Sequence, residues 1–258
     1  PKEIRQQADA AAKIEWRRFT DNFISLHATN TQNMDWFNDE HWNIITSNLK
    51  LFTEVIRAGK FKGVAWDTEQ YGNNCWLYPG RYQDKSFEEV STQVLRRGAQ
   101  FMEALQREVP EIKILSLFQL SLFGLVMDEP DRKIREERLT DIPWHNQMAL
   151  LPYFFVGMLE AAGPGIQLID GNEHSYYYET TFDYYHKYHM IKQRAKVFVP
   201  KELWKKYDAQ ATAGMALFME QILGLRMDQS WMSTFLSHSE RLKYLEHNTY
   251  YALTTADE

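Results

Sequence analysis

Apolar residues along this chain alternate between two spacings. Between residues 4 and 19, Ile4, Ala8, Ala11, Ala12 and Trp16 recur near the period of a helix face, and NFISLHATN then changes to a short apolar strand ending in polar side chains. Asp39 stands where a helix cap belongs; Trp42, Ile45, Leu49, Phe52 and Ile56 recur on one face, and Gly59 supplies a stop before FKGVAWDTE. Ser86 and Glu89 have capping-box spacing and open a long helix through Val90, Leu95, Phe101, Leu105 and Val109; Pro110 closes it, and EIKILSLFQL reads as a buried strand. A helix in HNQMALLPYFFVGMLEAAG leads into GIQLIDGNE, and a helix near FDYYHKYHMIKQRAK precedes AGMALFME, read as a fifth strand. Strands are therefore expected to begin near residues 23, 61, 112, 166 and 213.

Regular strand–helix alternation favours an α/β fold with a parallel sheet, because parallel neighbours need a helical crossover. No GxGxxG or GxxxxGK[ST] follows any of these strands, so a glycine loop that cradles nucleotide phosphates is not expected. Each strand instead ends in polar or acidic groups: His27 and Asn30, Asp67 and Glu69, Gln119, Asp170 to His174, and Glu220. In a (β/α)8 TIM barrel such ends form one shared active-site rim. The expectation is thus a single domain over residues 1–258, a TIM barrel with about five or six of its strand–helix units present. Helices at both ends of the sequence suggest the third to seventh units, with an intact smaller α/β domain as the competing account.

The 258 residues are 44% hydrophobic and 14% aromatic, ample for one large core. A net charge of -6 argues against a nucleic-acid partner, and the runs RLKYLEHN and DRKIREER mix both signs as solvated helix faces do. The single cysteine, Cys75, leaves no internal disulfide. No apolar run reaches the roughly 20 residues that span a bilayer, so no membrane span is expected.

Residues two apart on a strand share a face, so Gly63, Ala65, Asp67 and Glu69 are expected on one side and Val64 and Trp66 on the other. Two carboxylates then leave the strand end in the same direction. FKGVAWDTEQY resembles the fourth-strand signature of chitinase-like glycoside hydrolases, a phenylalanine, an acid, a glycine and alternating acids ending D-x-E-Y, with Asp67 and Glu69 matching its last Asp and its catalytic Glu. Lys62 and Ala65 stand where that family places acids, and Tyr71 comes one residue late. The wider strand–helix order also resembles glycoside-hydrolase-like barrels. In the retaining-barrel clan the acid/base follows the fourth strand and the nucleophile the seventh, which makes Glu69 and Glu220 the matching positions, with Thr68-Glu69 in place of Asn-Glu.

The resemblance implies hydrolysis of O-glycosyl bonds in an oligo- or polysaccharide. That reaction needs one protonated carboxyl for the leaving oxygen and one ionised carboxylate as nucleophile or base. Glu69 is the acid/base candidate, with Asp67 beside it and Glu173 as leading partner; Asp170 belongs to the opposite strand face. Trp76 and Tyr176 offer flat faces for sugar rings, His27 a hydrogen bond to a hydroxyl, and Tyr71, Asn30, Asp170, Asn172, His174 and Glu220 complete the substrate-binding candidates. No cofactor is implied. The rival chemistries are a non-catalytic carbohydrate-binding barrel and a metal-dependent hydrolase, for which HEXXH and Cys-His spacings are absent. No G-x-S-x-G elbow is present, and Cys75 has no base nearby in sequence.

Overall fold

Five short strands, β1 (Phe23–His27), β2 (Gly63–Asp67), β3 (Lys113–Ser116), β4 (Gln167–Asp170) and β5 (Ala211–Ala213), pair in parallel in the order β1-β2-β3-β4-β5. The computed structural model describes residues 2–28, 33–143, 145–223 and 235–257. Register places Ile24, Val64, Ile114, Leu168 and Ala211 in one row across the sheet, and Ser25, Ala65, Leu115, Ile169 and Thr212 in the next row. Because side chains alternate, the two rows face opposite sides. Val64, Ile114 and Leu168 are fully buried against helices, whereas Ser25 and His27 are exposed on the other face.

The helices are α1 (Lys2–Ala11), α2 (Asp39–Gly59), α3 (Phe87–Gln106), α4 (Arg132–Asp141), α5 (Leu151–Ala161), α6 (Thr181–Lys192), α7 (Trp204–Gln210), α8 (Met219–Ile222) and α9 (His238–Thr255). Along the sheet, α2 packs on α3, α3 on α5 and α5 on α7, so the crossovers form a layer that follows the strand order without reversal. A doubly wound sheet would show a switch point where the order turns back.

All five strands begin within two residues of the expected positions. The extent of the fifth differs: β5 ends at Ala213, where the segment AGMALFME was expected to begin as a strand, and the apolar run beyond it leads into α8. Its residues follow α7 directly, and Ala209, Gln210, Ala211 and Ala213 are good helix formers, so pairing with β4 overrides their local propensity. The first helix is also shorter than its period suggests and ends at Ala11.

Ser86 and Glu89 form the expected reciprocal cap of α3. At α2 the cap is Asn38, whose side chain accepts from the backbone N–H groups of Glu40 and His41, rather than Asp39. Asp39 instead meets the Arg97 guanidinium at 2.6 Å. Helices α3 and α5 touch backbone to backbone: a Cβ on Gly98 would lie 2.0 Å from the Phe154 carbonyl oxygen, and one on Gly157 1.9 Å from that of Leu95. This close approach centres an aromatic core. Trp36 lies 5.5 Å from Trp42 and 5.4 Å from Trp76, while Phe154 lies 5.5 Å from Trp66 and 5.4 Å from both Trp76 and Phe101.

Candidate active site

The carboxyl ends of β1, β2 and β4 carry the side chains of interest. After Asp67 the chain leaves the sheet through Thr68, which is fully buried; its hydroxyl donates to the Phe118 carbonyl at 3.3 Å, and its own carbonyl accepts from Trp76 Nε1 at 2.9 Å and Gln70 Nε2 at 3.2 Å. With Thr68 pinned inward, Asp67 and Glu69 extend together. Asp67 Oδ1 accepts the Glu69 backbone N–H at 2.9 Å, and Oδ2 lies 3.2 Å from His27 Nδ1 on the neighbouring strand, where register pairs His27 with Asp67. His27 Nε2 in turn meets Ser25 Oγ at 3.0 Å.

Tyr71 donates its hydroxyl to Glu69 Oε2. That bond, with burial and the negative charge of Asp67 behind it, pushes the phenol well above its ordinary range.

Glu173 opens the short 3-10 turn Glu173–Tyr177 after β4, and its backbone N–H donates to the Leu117 carbonyl at 2.8 Å. Burial raises its carboxyl, and the negative charges of Glu69 and Asp67 raise it further. Among the described residues no group donates a hydrogen bond to that carboxyl. Its charge also adds to the burial that raises the Tyr176 phenol. Asp67, Glu69 and Glu173 therefore share one electrostatic neighbourhood, with Tyr71, His27 and Tyr176 around it.

The other expected site residues fall elsewhere. Asp170 is buried on the helix side of β4 and held by Ser121, from the backbone N–H at 3.1 Å and the hydroxyl at 2.9 Å, with the Asn172 N–H at 3.2 Å; burial raises its carboxyl. It anchors the Leu120–Val126 turn. Asn172 is buried in a left-handed conformation, φ 46°, and its amide donates to Tyr178 Oη at 3.1 Å, so it shapes the turn rather than facing solvent. Trp76 is a core residue, 2% exposed and packed between Trp36, Trp66 and Phe154. The loop that carries it folds back over the helix side because its indole N–H caps the Thr68 carbonyl. Glu220 is exposed on α8 and does not end a strand. His174 is exposed on the turn beside Glu173, Tyr176 lies 5.0 Å from the Phe218 ring, and Asn30 falls outside the described residues.

No family model, curated protein or solved structure matches the chain. The chemistry must therefore be read from the side chains. Among the described residues no three His, Cys, Asp or Glu side chains are grouped so as to hold a metal ion. Burial pushes the Cys75 thiol up to about 12, leaving it un-ionised near neutral pH. No described helix is long and apolar enough to cross a membrane.

The relay partner Ser25 was not singled out from sequence, although its position two residues before His27 on one strand was a usable signal. What the arrangement offers is a pair of carboxyls in unlike surroundings: Glu69 with a hydroxyl donor, Glu173 half-buried and facing negative charge.

Proposed function

We propose that the chain hydrolyses O-glycosyl bonds with Glu173 as the proton donor and Glu69 as the ionised nucleophile or base. This reverses the role assigned to Glu69 from sequence. The observation that carries the reading is the contrast between the two carboxyls: Glu69 accepts the Tyr71 hydroxyl, while Glu173 sits in partial burial against the charges of Glu69 and Asp67. A leaving sugar oxygen takes the Glu173 proton as the glycosidic bond lengthens. Glu69 either attacks the anomeric carbon or deprotonates a water, and the carboxyl separation decides which, about 5–5.5 Å for the first and about 6.5–9.5 Å for the second. Asp67, fixed by His27 and the Glu69 N–H, adds negative charge beside an oxocarbenium-like centre.

We further propose that the sheet belongs to a (β/α)8 barrel. Five parallel strands in sequential order, with one helix layer and no switch point, support that architecture, and the carboxylates lie at its carboxyl-terminal strand ends.

Turnover of aryl glycosides and polysaccharides tests the function. Glu69→Gln and Glu173→Gln should each lower kcat by about 10²–10⁴-fold. For an aryl glycoside with a good leaving group, Glu173→Gln should recover most of its rate, because departure then needs no proton, while Glu69→Gln should not. Glycan binding with no turnover, unchanged in both variants, would identify a binding protein instead.

A further inference from the structure

A cavity of about 480 Å³ lies in the helix layer between α3, α4, α5 and residues 196–204. None of the carboxylate-site residues lines it. Its basic walls are mostly accounted for: Arg132 donates to Glu136 at 2.7 Å, and Lys196 meets Asp208 at 2.5 Å. Glu136, the acid on that wall, also accepts the Tyr153 hydroxyl at 2.6 Å. Arg135 is different. It is 6% exposed, lines the cavity, and pairs with no carboxylate among the described residues.

The Arg135 guanidinium has five N–H groups. Nη1 donates to the Glu129 carbonyl at 2.6 Å and to that of Pro130 at 3.4 Å, and Nη2 to the Val197 carbonyl at 2.8 Å. Nε–H and one Nη2–H remain without an acceptor among the described residues. The Phe198 ring lies 5.6 Å from Cζ. Carbonyl dipoles and a ring face offset part of the cost of burying the charge, and the carboxylates of Glu136 and Glu129 favour it without hydrogen-bonding to it, so the two open donors lack the direct anionic partner that a buried guanidinium ordinarily has. Burial also lowers the proton affinity of the group, consistent with incomplete compensation.

Leu139, Tyr153, Val156, Phe198 and the partly exposed Trp204 give the wall a large apolar and aromatic part, with Lys201 and Glu202 also lining it. The volume is within the range of small-ligand sites. We infer that this cavity binds a small organic carboxylate, its oxygens on the open donors of Arg135 and its apolar body among Tyr153, Phe198 and Trp204. A planar guanidinium with adjoining open donors matches the two oxygens of a carboxylate.

Benzoate, with benzyl alcohol as its uncharged counterpart, tests the assignment by thermal shift and calorimetric titration of the full chain. Benzoate should bind saturably and raise Tm, and benzyl alcohol at the same concentration should not. Arg135→Met should weaken benzoate at least tenfold. Thr92→Trp, an exposed change on α3 that places an indole at the cavity wall, should do the same without touching the buried guanidinium. Equal shifts from benzoate and benzyl alcohol, absent saturation, or undiminished benzoate affinity in Thr92→Trp would each overturn the proposal, and the last readout stands even if Arg135→Met does not fold.

Discussion

Replacing Gly157 with alanine sets two opposed effects against each other on one helix. Alanine favours the helical backbone over glycine by about 1 kcal/mol. Against that, the new Cβ would stand 1.9 Å from the Leu95 carbonyl oxygen, and ordinary contact begins near 3.4 Å, so α3 and α5 must part by about 1.5 Å. A gap of ~0.5–1 Å already forfeits a quarter to a half of a dispersion contact, and the buried Phe154, Phe101 and Val94 lie along this seam. Overpacking of a tight core costs about 1–3 kcal/mol and sometimes more. A displacement of this size puts the cost at the upper end, so the steric effect wins, with a net loss of about 2 kcal/mol and a Tm lower by roughly 4–8 °C for a domain of this size. Gly98→Ala, with its Cβ 2.0 Å from the Phe154 carbonyl, should behave alike. Because one separation of the helices accommodates both methyl groups, the double variant should lose clearly less than the sum of the singles. Urea unfolding of the four proteins in a double-mutant cycle measures this. A neutral or stabilised Gly157→Ala, or strict additivity, would refute the backbone contact.

Three further outcomes follow from the site and the caps. A raised Glu173 carboxyl means the folded chain holds a proton that the unfolded chain has released; stability should therefore fall as pH rises from the ordinary glutamate range through the raised value, and Glu173→Gln should flatten that slope in pH-dependent urea midpoints. The same ionisation should set the alkaline limb of the activity profile, since it removes the proton donor. Tyr71→Phe deletes the donor to Glu69 at a residue 61% exposed, so stability should stay within about 0.5 kcal/mol while turnover drops about tenfold; an unchanged rate would remove Tyr71 from the mechanism. Asn38→Ala should cost about 1 kcal/mol by thermal or urea unfolding, and a larger loss in Asp39→Ala would reassign the cap.

How much of this was readable beforehand depended on the range of the physics involved. Strands β1 to β4 were legible because period-two apolar runs met clear helix stops, and the spacing of Asp67 and Glu69 put both at one strand end. β5 was not, since two of the three residues in Ala211-Thr212-Ala213 are alanines, which disfavour strands, and the strand is set by its pairing with Leu168 to Asp170. Asn38 and Asp39 are adjacent and both suit a cap, so only backbone geometry separates them. Trp76 misled for a related reason: an indole in a loop has the same apolarity whether it packs inward or waits for a sugar, and the hydrogen bond to Thr68 that turns it inward is tertiary. The approach of Glu173 to Glu69 likewise depends on β4 lying two strands from β2, which no local pattern encodes.

The ring cluster between sheet and helices makes the molecule its own optical gauge. Trp36, Trp42, Trp66 and Trp76 form a chain with successive contacts of 5.4 to 6.2 Å and come from the segment before α2, from α2, from β2 and from the loop beyond it. Indoles fixed this closely in a chiral arrangement should give an intense near-ultraviolet dichroism band. Loosening of side-chain packing would erase that band while the far-ultraviolet helix signal persisted, so a single instrument can separate loss of packing from loss of secondary structure.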